Sequence, residues 1–203
     1  MGPYPAPDRR AHTVMALTVR PVDRWYAAQL FDRATRDLTD GTTGFVAGEP
    51  LREADVYLSA ALDGDDIGLV WFWPFLRAAV EGIARHPVYW YGIVLDPAAR
   101  GQRVGREITA AAARWLFERH AHVRTIVVAV RASNARSLAS LRANPIYEPV
   151  GSVRDELGLD IVLAQITRAS LEGPIDHEGS EYAMTLRACD APSSRICDPE
   201  RST

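Results

Sequence analysis

Lysine is absent from this 203-residue sequence: all 23 basic residues are arginine. Every fixed positive charge is therefore a planar, multi-donor guanidinium suited to phosphate oxygens. Against 26 acidic residues the formal net charge is -3, without the basic excess of a general nucleic-acid binder. Cysteine is scarce as well. Cys189 and Cys197 are the only two, both near the C-terminus. Two thiols in a tail make neither a disulfide framework nor a zinc site, and they read as free thiols in a reducing compartment. No uncharged apolar run reaches the length of a membrane span, and the proline-rich beginning lacks the apolar segment of a signal peptide. The expectation is a cytoplasmic protein with no membrane, nucleic-acid or metal partner. Neither Gly-x-Gly-x-x-Gly nor Gly-Lys-Ser/Thr occurs, which removes the dinucleotide and P-loop fingerprints.

What is present is ordinary globular material, 47% hydrophobic and 24% charged, in an amount that suits one domain with a sizeable core. Pro3, Pro5 and Pro7 favour extended backbone, so residues 1–13 read as a flexible N-terminal arm. Residues 14–188 read as the domain and 189–203 as a C-terminal tail.

Val14–Val22 looks like a strand, and Asp23 can cap a helix running to about Leu38. Val56–Leu62 and Ile67–Phe75 are strand-like runs joined through Asp63-Gly64, a strong hairpin signal. A helical stretch over Leu76–Arg85 leads to a buried strand, Val88–Leu95. Arg103–His120 has the best helical pattern, with Val104, Ile108, Ala111, Ala112, Trp115 and Leu116 on one stripe. A central strand over Thr125–Val130 precedes a helix capped by Ser133 and running through about Arg142. Strands over Glu148–Val153, Leu159–Ile166 and Glu181–Ala188 complete the order. The class is α/β: a mixed, partly antiparallel central sheet flanked by helices.

Chemistry concentrates between Val94 and Glu107. A buried strand ends at Asp96-Pro97, a short loop turns, and an amphipathic helix begins. The first amides of such a helix lack acceptors within it, and its dipole adds positive character. Gly101 and Gly105 leave room for an anion at the backbone, and Arg100, Arg103 and Arg106 add charge around the same point. Such a helix start describes a phosphate site; the competing reading is a solvated arginine face.

With this segment and a second one downstream, the chain resembles the GNAT superfamily of N-acetyltransferases. The family's cofactor loop reads Arg/Gln-x-x-Gly-x-Gly/Ala. Arg100-Gly101-Gln102-Arg103-Val104-Gly105 follows it, with Arg103 in place of the middle glycine. Asn134-Ala135-Arg136-Ser137 matches the family's Asn-x-x-Ser/Ala helix start. Ile146-Tyr147-Glu148-Pro149-Val150-Gly151 then matches Gly-Phe-Glu-x-Val-Gly. The likeness runs from about residue 15 to 167, and its specific motifs occupy 94–151.

The resemblance implies a GNAT-like fold and acetyl-CoA as cosubstrate. It implies that the amides of Gln102, Arg103, Val104 and Gly105 take the cofactor's pyrophosphate, beside Arg100 and Arg103. Backbone groups of Ile93, Val94 and Leu95 would hydrogen-bond the pantetheine arm, between splayed strands at Val88–Leu95 and Thr125–Val130. Asn134, with Ser137 in the same motif, would hold the arm from the other side; for Asn134 a plain helix-start role competes.

The family's usual acid and base are missing. Val88–Val94 carries no carboxylate, and Leu141 stands where many relatives have a tyrosine. The catalytic candidates are therefore Tyr89, Tyr91, His86 and Glu81, with Asp55 acting through water; aromatic packing and solvated surface are their ordinary alternatives. Trp71, Phe72 and Trp73 suggest an apolar acceptor wall. The function this implies is acetyl transfer to a primary amine of a small molecule, directly within a ternary complex. An acyl-CoA-binding regulatory module and a protein N-terminal or lysine acetyltransferase stay open, as does a homodimer.

Overall fold

The computed structural model describes residues 16–38, 50–74, 88–154 and 157–172, with the backbone of 187–188. The helix expected over Leu76–Arg85, Glu81, His86, the arm over 1–13 and both cysteines lie outside these residues.

The chain forms β1 (Leu17–Pro21), α1 (Arg24–Thr35), β2 (Val56–Leu62), β3 (Asp65–Pro74) and β4 (Val88–Leu95). It continues with α2 (Val104–Arg119), β5 (Thr125–Arg131), α3 (Ala135–Ala143), β6 (Glu148–Arg154), β7 (Asp160–Thr167), α4 (Arg168–Glu172) and β8 (Arg187–Ala188). The strands make one mixed sheet in the order β6-β7-β5-β4-β3-β2-β1-β8. β1 to β4 are joined antiparallel, β4 and β5 run parallel across the α2 crossover, and β7 pairs antiparallel with both β5 and β6. Of the strand expected over Glu181–Ala188, Arg187–Ala188 is described, parallel to β1.

Local chemistry explains the boundaries. The Asp23 side chain accepts the Tyr26 amide at 2.8 Å and starts α1. Asp63 and Gly64 both have positive φ, 51° and 95°, the backbone that a tight Asp-Gly hairpin requires. The start of α3 corrects the sequence reading. Its cap is Asn134, whose Oδ1 accepts the Ser137 amide at 3.0 Å. Ser133 belongs to the turn before it, closed by Asn134 N–H to the Arg131 carbonyl at 2.9 Å.

Side chains alternate across the sheet, so each face has its own core. On one face Val70, Phe72, Tyr89, Tyr91, Ile126 and Ile166 pack with Val104, Ile108 and Leu116 of α2. On the other, Leu30, Phe31 and Ala34 of α1 cover Tyr57, Leu69, Trp71 and Val94. Burying Leu30 and Phe31 contributes about 1.5–3 kcal/mol each. The buried face of α2 is broader than the expected stripe. Ala110, Ala113 and Phe117 are also buried, whereas Ala111 and Trp115 are half-buried.

Candidate active site

β4 and β5 begin side by side and then part. They pair only from Val88–Tyr91 to Thr125–Val128, although both strands continue. Above Tyr91, β4 stays bonded to β3 through Leu95, and β5 stays bonded to β7 through Arg131. The inner edge of β4 therefore carries backbone groups with no strand partner, among them those of Ile93 and the Leu95 amide, whereas Val94 turns its backbone groups to β3. Such groups take up an extended, amide-bearing chain as an added strand does. Gly92, just above the last pair, is held to glycine by its neighbour: a Cβ there would stand 2.4 Å from two carbons of the Trp71 indole.

The loop beyond β4 leads straight to the N-terminus of α2. A short turn over Pro97–Ala99 is followed by Gly101 at φ 87° and Arg103 at φ 62°. By helix geometry the amides of Val104, Gly105 and Arg106 have no acceptor within α2, and the dipole adds to their pull on an anion. The Gln102 amide meets the Ala99 carbonyl at 3.5 Å, and its side chain donates to the Ala98 carbonyl at 2.7 Å.

The arginines divide into two groups. The Arg100 guanidinium donates to the Leu95 carbonyl at 3.0 Å, to both Asp37 carboxylate oxygens at 2.7 and 3.0 Å, and to the Ala34 carbonyl. Its hydrogen bond holds the Asp37 carboxyl below the usual range. Arg100 thus ties the loop to the end of α1, where the family resemblance places it beside the pyrophosphate. Arg33 makes a second tie, reaching the two Asp96 oxygens at 3.0 and 2.8 Å and the Asp66 carbonyl.

Arg106 is the opposite case. Its Nε and Nη2 are buried and, among the described residues, have no hydrogen-bond partner. Arg136, in the second residue of α3, brings Nη2 to 3.6 Å from the point where a Gly101 Cβ would stand. Sequence reading passed over Arg136, although it lies inside the quoted Asn134–Ser137 motif. Arg103 is exposed, and the side chain of Asn134 is engaged as the α3 cap.

The tyrosine candidates are already bonded. Thr109 gives its hydroxyl proton to the Gly105 carbonyl at 2.8 Å, so the phenols of Tyr91 and Tyr147 both donate to Thr109, at 2.7 and 3.3 Å. Burial pushes both phenols up. Tyr89 donates to Asp55 at 3.0 Å, and burial, with Asp55 beside it, raises the phenol to about 12. Its ring lies 6.4 Å from those of His120 and His122. Burial, with His122 nearby, pushes His120 below the ordinary histidine value. Neither histidine stood among the sequence candidates, because nothing in a helix end and its following turn marks them.

Residues 21–143, more than half of the chain, match the acetyltransferase (GNAT) family, and the chain belongs to it. No curated protein matches the chain by sequence. Among solved structures it is similar to the aminoglycoside acetyltransferase AAC(6')-Ib in complex with coenzyme A, at 20% identity and a TM-score of 0.61, covering 77% of this chain and 98% of that one. The same protein with paromomycin and acetyl-CoA gives 20% identity and 0.62, over 79% and 98%. A variant of the spermidine N-acetyltransferase SpeG from Vibrio cholerae gives 15% identity and 0.57, over 77% and 96%. At these identities the likeness shows the fold. Among the described residues no helix is long and apolar enough to cross a membrane, and no group of three or more His, Cys, Asp or Glu could hold a metal ion.

Proposed function

We propose that the chain is an acetyl-CoA-dependent N-acetyltransferase that acts on a primary amine of a small molecule, with donor and acceptor bound together. The carrying observation is the splay of β4 from β5, opening onto the glycine-bearing start of α2. The residues present fit acetyl-CoA. Buried Arg106 donors without a partner and the amides of Val104 and Gly105 suit its phosphates. The open-edge groups of Ile93 and the Leu95 amide suit its pantetheine amides. Bound there, acetyl-CoA supplies an acyl carbonyl activated as a thioester.

The chain's own contribution is placement and polarisation. Cleft amides above Tyr91 polarise a carbonyl laid against them, and two rigid strands align it with an incoming amine. The neutral amine nitrogen bonds to the acyl carbon, the carbon–sulfur bond breaks, and the amine's surplus proton passes through solvent to the departing CoA thiolate. The α2 face of the sheet takes the donor, so the acceptor arrives from the opposite face, where Trp73 and Trp90 stack with ring centroids 6.4 Å apart.

The test is release of free CoA thiol from acetyl-CoA with a panel of primary amines, beside calorimetry with CoA alone. Turnover with any amine supports the reading. CoA binding without turnover favours the second reading, a regulatory acyl-CoA module, which the committed phenol protons of Tyr91 and Tyr147 would suit. No CoA binding removes both.

A further inference from the structure

Where the cleft closes, three hydroxyls are tied together on its α2 side. The last β4–β5 pair is Tyr91 opposite Val128, and directly paired residues share a face. Both side chains lie in the core beneath α2, 7% and 6% exposed. Tyr91 packs on Phe72 of β3, with ring centroids 5.7 Å apart, and donates to the buried Thr109 of α2 at 2.7 Å. Tyr147 stands on the other side of the splay, where the chain leaves α3 for β6. Its phenol reaches the same Thr109 oxygen at 3.3 Å. Thr109 is in turn tied to the Gly105 carbonyl at 2.8 Å. Two rings from opposite sides of the cleft therefore converge on one α2 hydroxyl, and that bonding holds both in place.

This floor faces the deep end of a bound donor. The phosphates belong at the start of α2, beyond Leu95, and the open-edge groups of Ile93 and the Leu95 amide suit the pantetheine arm. The acyl end then points down β4, from Ile93 toward Tyr91. Successive residues on one face of a strand stand ~7 Å apart. An acyl chain that starts beside Ile93 thus meets the Tyr91 ring within a few methylenes. A close-packed interior admits no such insertion without displacing side chains.

We infer that Tyr91 and Tyr147, pinned by Thr109, restrict the donor to short acyl groups, acetyl and little longer. This rests on the acetyl-CoA site proposed above and adds what that site rejects. Neither phenol transfers a proton in this role; each contributes bulk at a fixed place.

Calorimetry of the full chain with CoA, acetyl-CoA and hexanoyl-CoA reads the limit without turnover. The ratio of kcat/KM for acetyl- and hexanoyl-CoA, with one common amine, reads it again. A single misfitting methylene is worth roughly 10- to 200-fold, so hexanoyl-CoA should be at least about tenfold poorer than acetyl-CoA by both measures. Tyr91→Val keeps a strand-forming residue and removes the ring. It should bring that gap below about threefold, the loss of one methylene's discrimination, with the Kd for CoA unchanged. Tyr91→Phe keeps the ring and should keep most of the gap. Tyr147→Leu opens the floor from the other side and decides alone if Tyr91→Val does not fold. Equal binding of hexanoyl- and acetyl-CoA by the wild type, or a gap that survives in the folded Tyr91→Val and Tyr147→Leu variants, overturns the inference while the CoA site stands. No binding of CoA by the wild type removes the site and this limit with it.

Discussion

Replacing Arg106 by methionine should stabilise the free protein and weaken CoA at the same time. Arg106 Nε and Nη2 are buried without a partner. Burying an unsatisfied donor costs about 1–3 kcal/mol, and more when it is charged. The residue as a whole is only half-buried, so water reaches part of the guanidinium and the lower end applies. Methionine keeps the apolar stem and removes the charge, so the free protein should gain about 1 kcal/mol. The bound state moves the other way. A lost charge-assisted hydrogen bond to phosphate is worth about 1.5–3 kcal/mol, which raises Kd roughly 10- to 150-fold. Urea unfolding gives the first quantity and calorimetry with CoA the second. A variant that is less stable, with an unchanged Kd, would refute the reasoning, because Arg106 would then be a structural residue.

Gly105→Glu should remove CoA binding with the fold intact. A Cβ at Gly105 meets only Leu95 Cδ1, at an ordinary 3.8 Å, while the carboxylate opposes an anion at the helix start; an unchanged Kd for CoA would move the phosphates elsewhere. Thr109→Val should cost about 2–4 kcal/mol in urea unfolding, since it strands the buried Tyr91 and Tyr147 phenols; a loss under about 0.5 kcal/mol, the scatter of ordinary surface changes, would mean that the phenols find other partners. Tyr89→Phe and Tyr91→Phe should each lose less than about tenfold in kcat, below the ~10²–10⁴ of a true acid or base. A thousandfold loss in either, with its pH limb gone, would identify the residue as the proton donor.

Much of the fold could be read because its elements follow short-range rules. The Asp63-Gly64 turn, the Asp23 cap and the β-branched and aromatic run of β4 are each settled within a few residues, and each falls where expected. The Ser133 reading failed for an equally local reason: Asn134, one position on, reaches the third amide and starts the helix. The cleft was legible only through family likeness. A splay is defined by which backbone groups do not pair, and no residue pattern spells that out. The same holds for the role of Arg100. Its partners Ala34 and Asp37 stand more than sixty positions away, so nothing near it distinguishes a loop tie from a phosphate ligand.

The lack of lysine takes on structural meaning at this loop. Arg33 and Arg100 each hold a carboxylate through two nitrogens and a backbone carbonyl as well. A lysine ammonium is a single point of charge and cannot make that planar, two-pronged contact. Together these ties hold Asp96 and the Leu95 carbonyl against α1, on the side of the sheet away from α2. They therefore fix where β4 ends and where α2 begins before any ligand arrives. Exposed ion pairs add little to stability one at a time, but two ties sharing one short loop restrict its conformations, and restricted conformations reduce the ordering cost of binding. The first arginine of the motif works by positioning the loop. Under the proposed function the anion falls to Arg106, whose Nε and Nη2 have no hydrogen-bond partner among the described residues, and to Arg136, which overlooks Gly101.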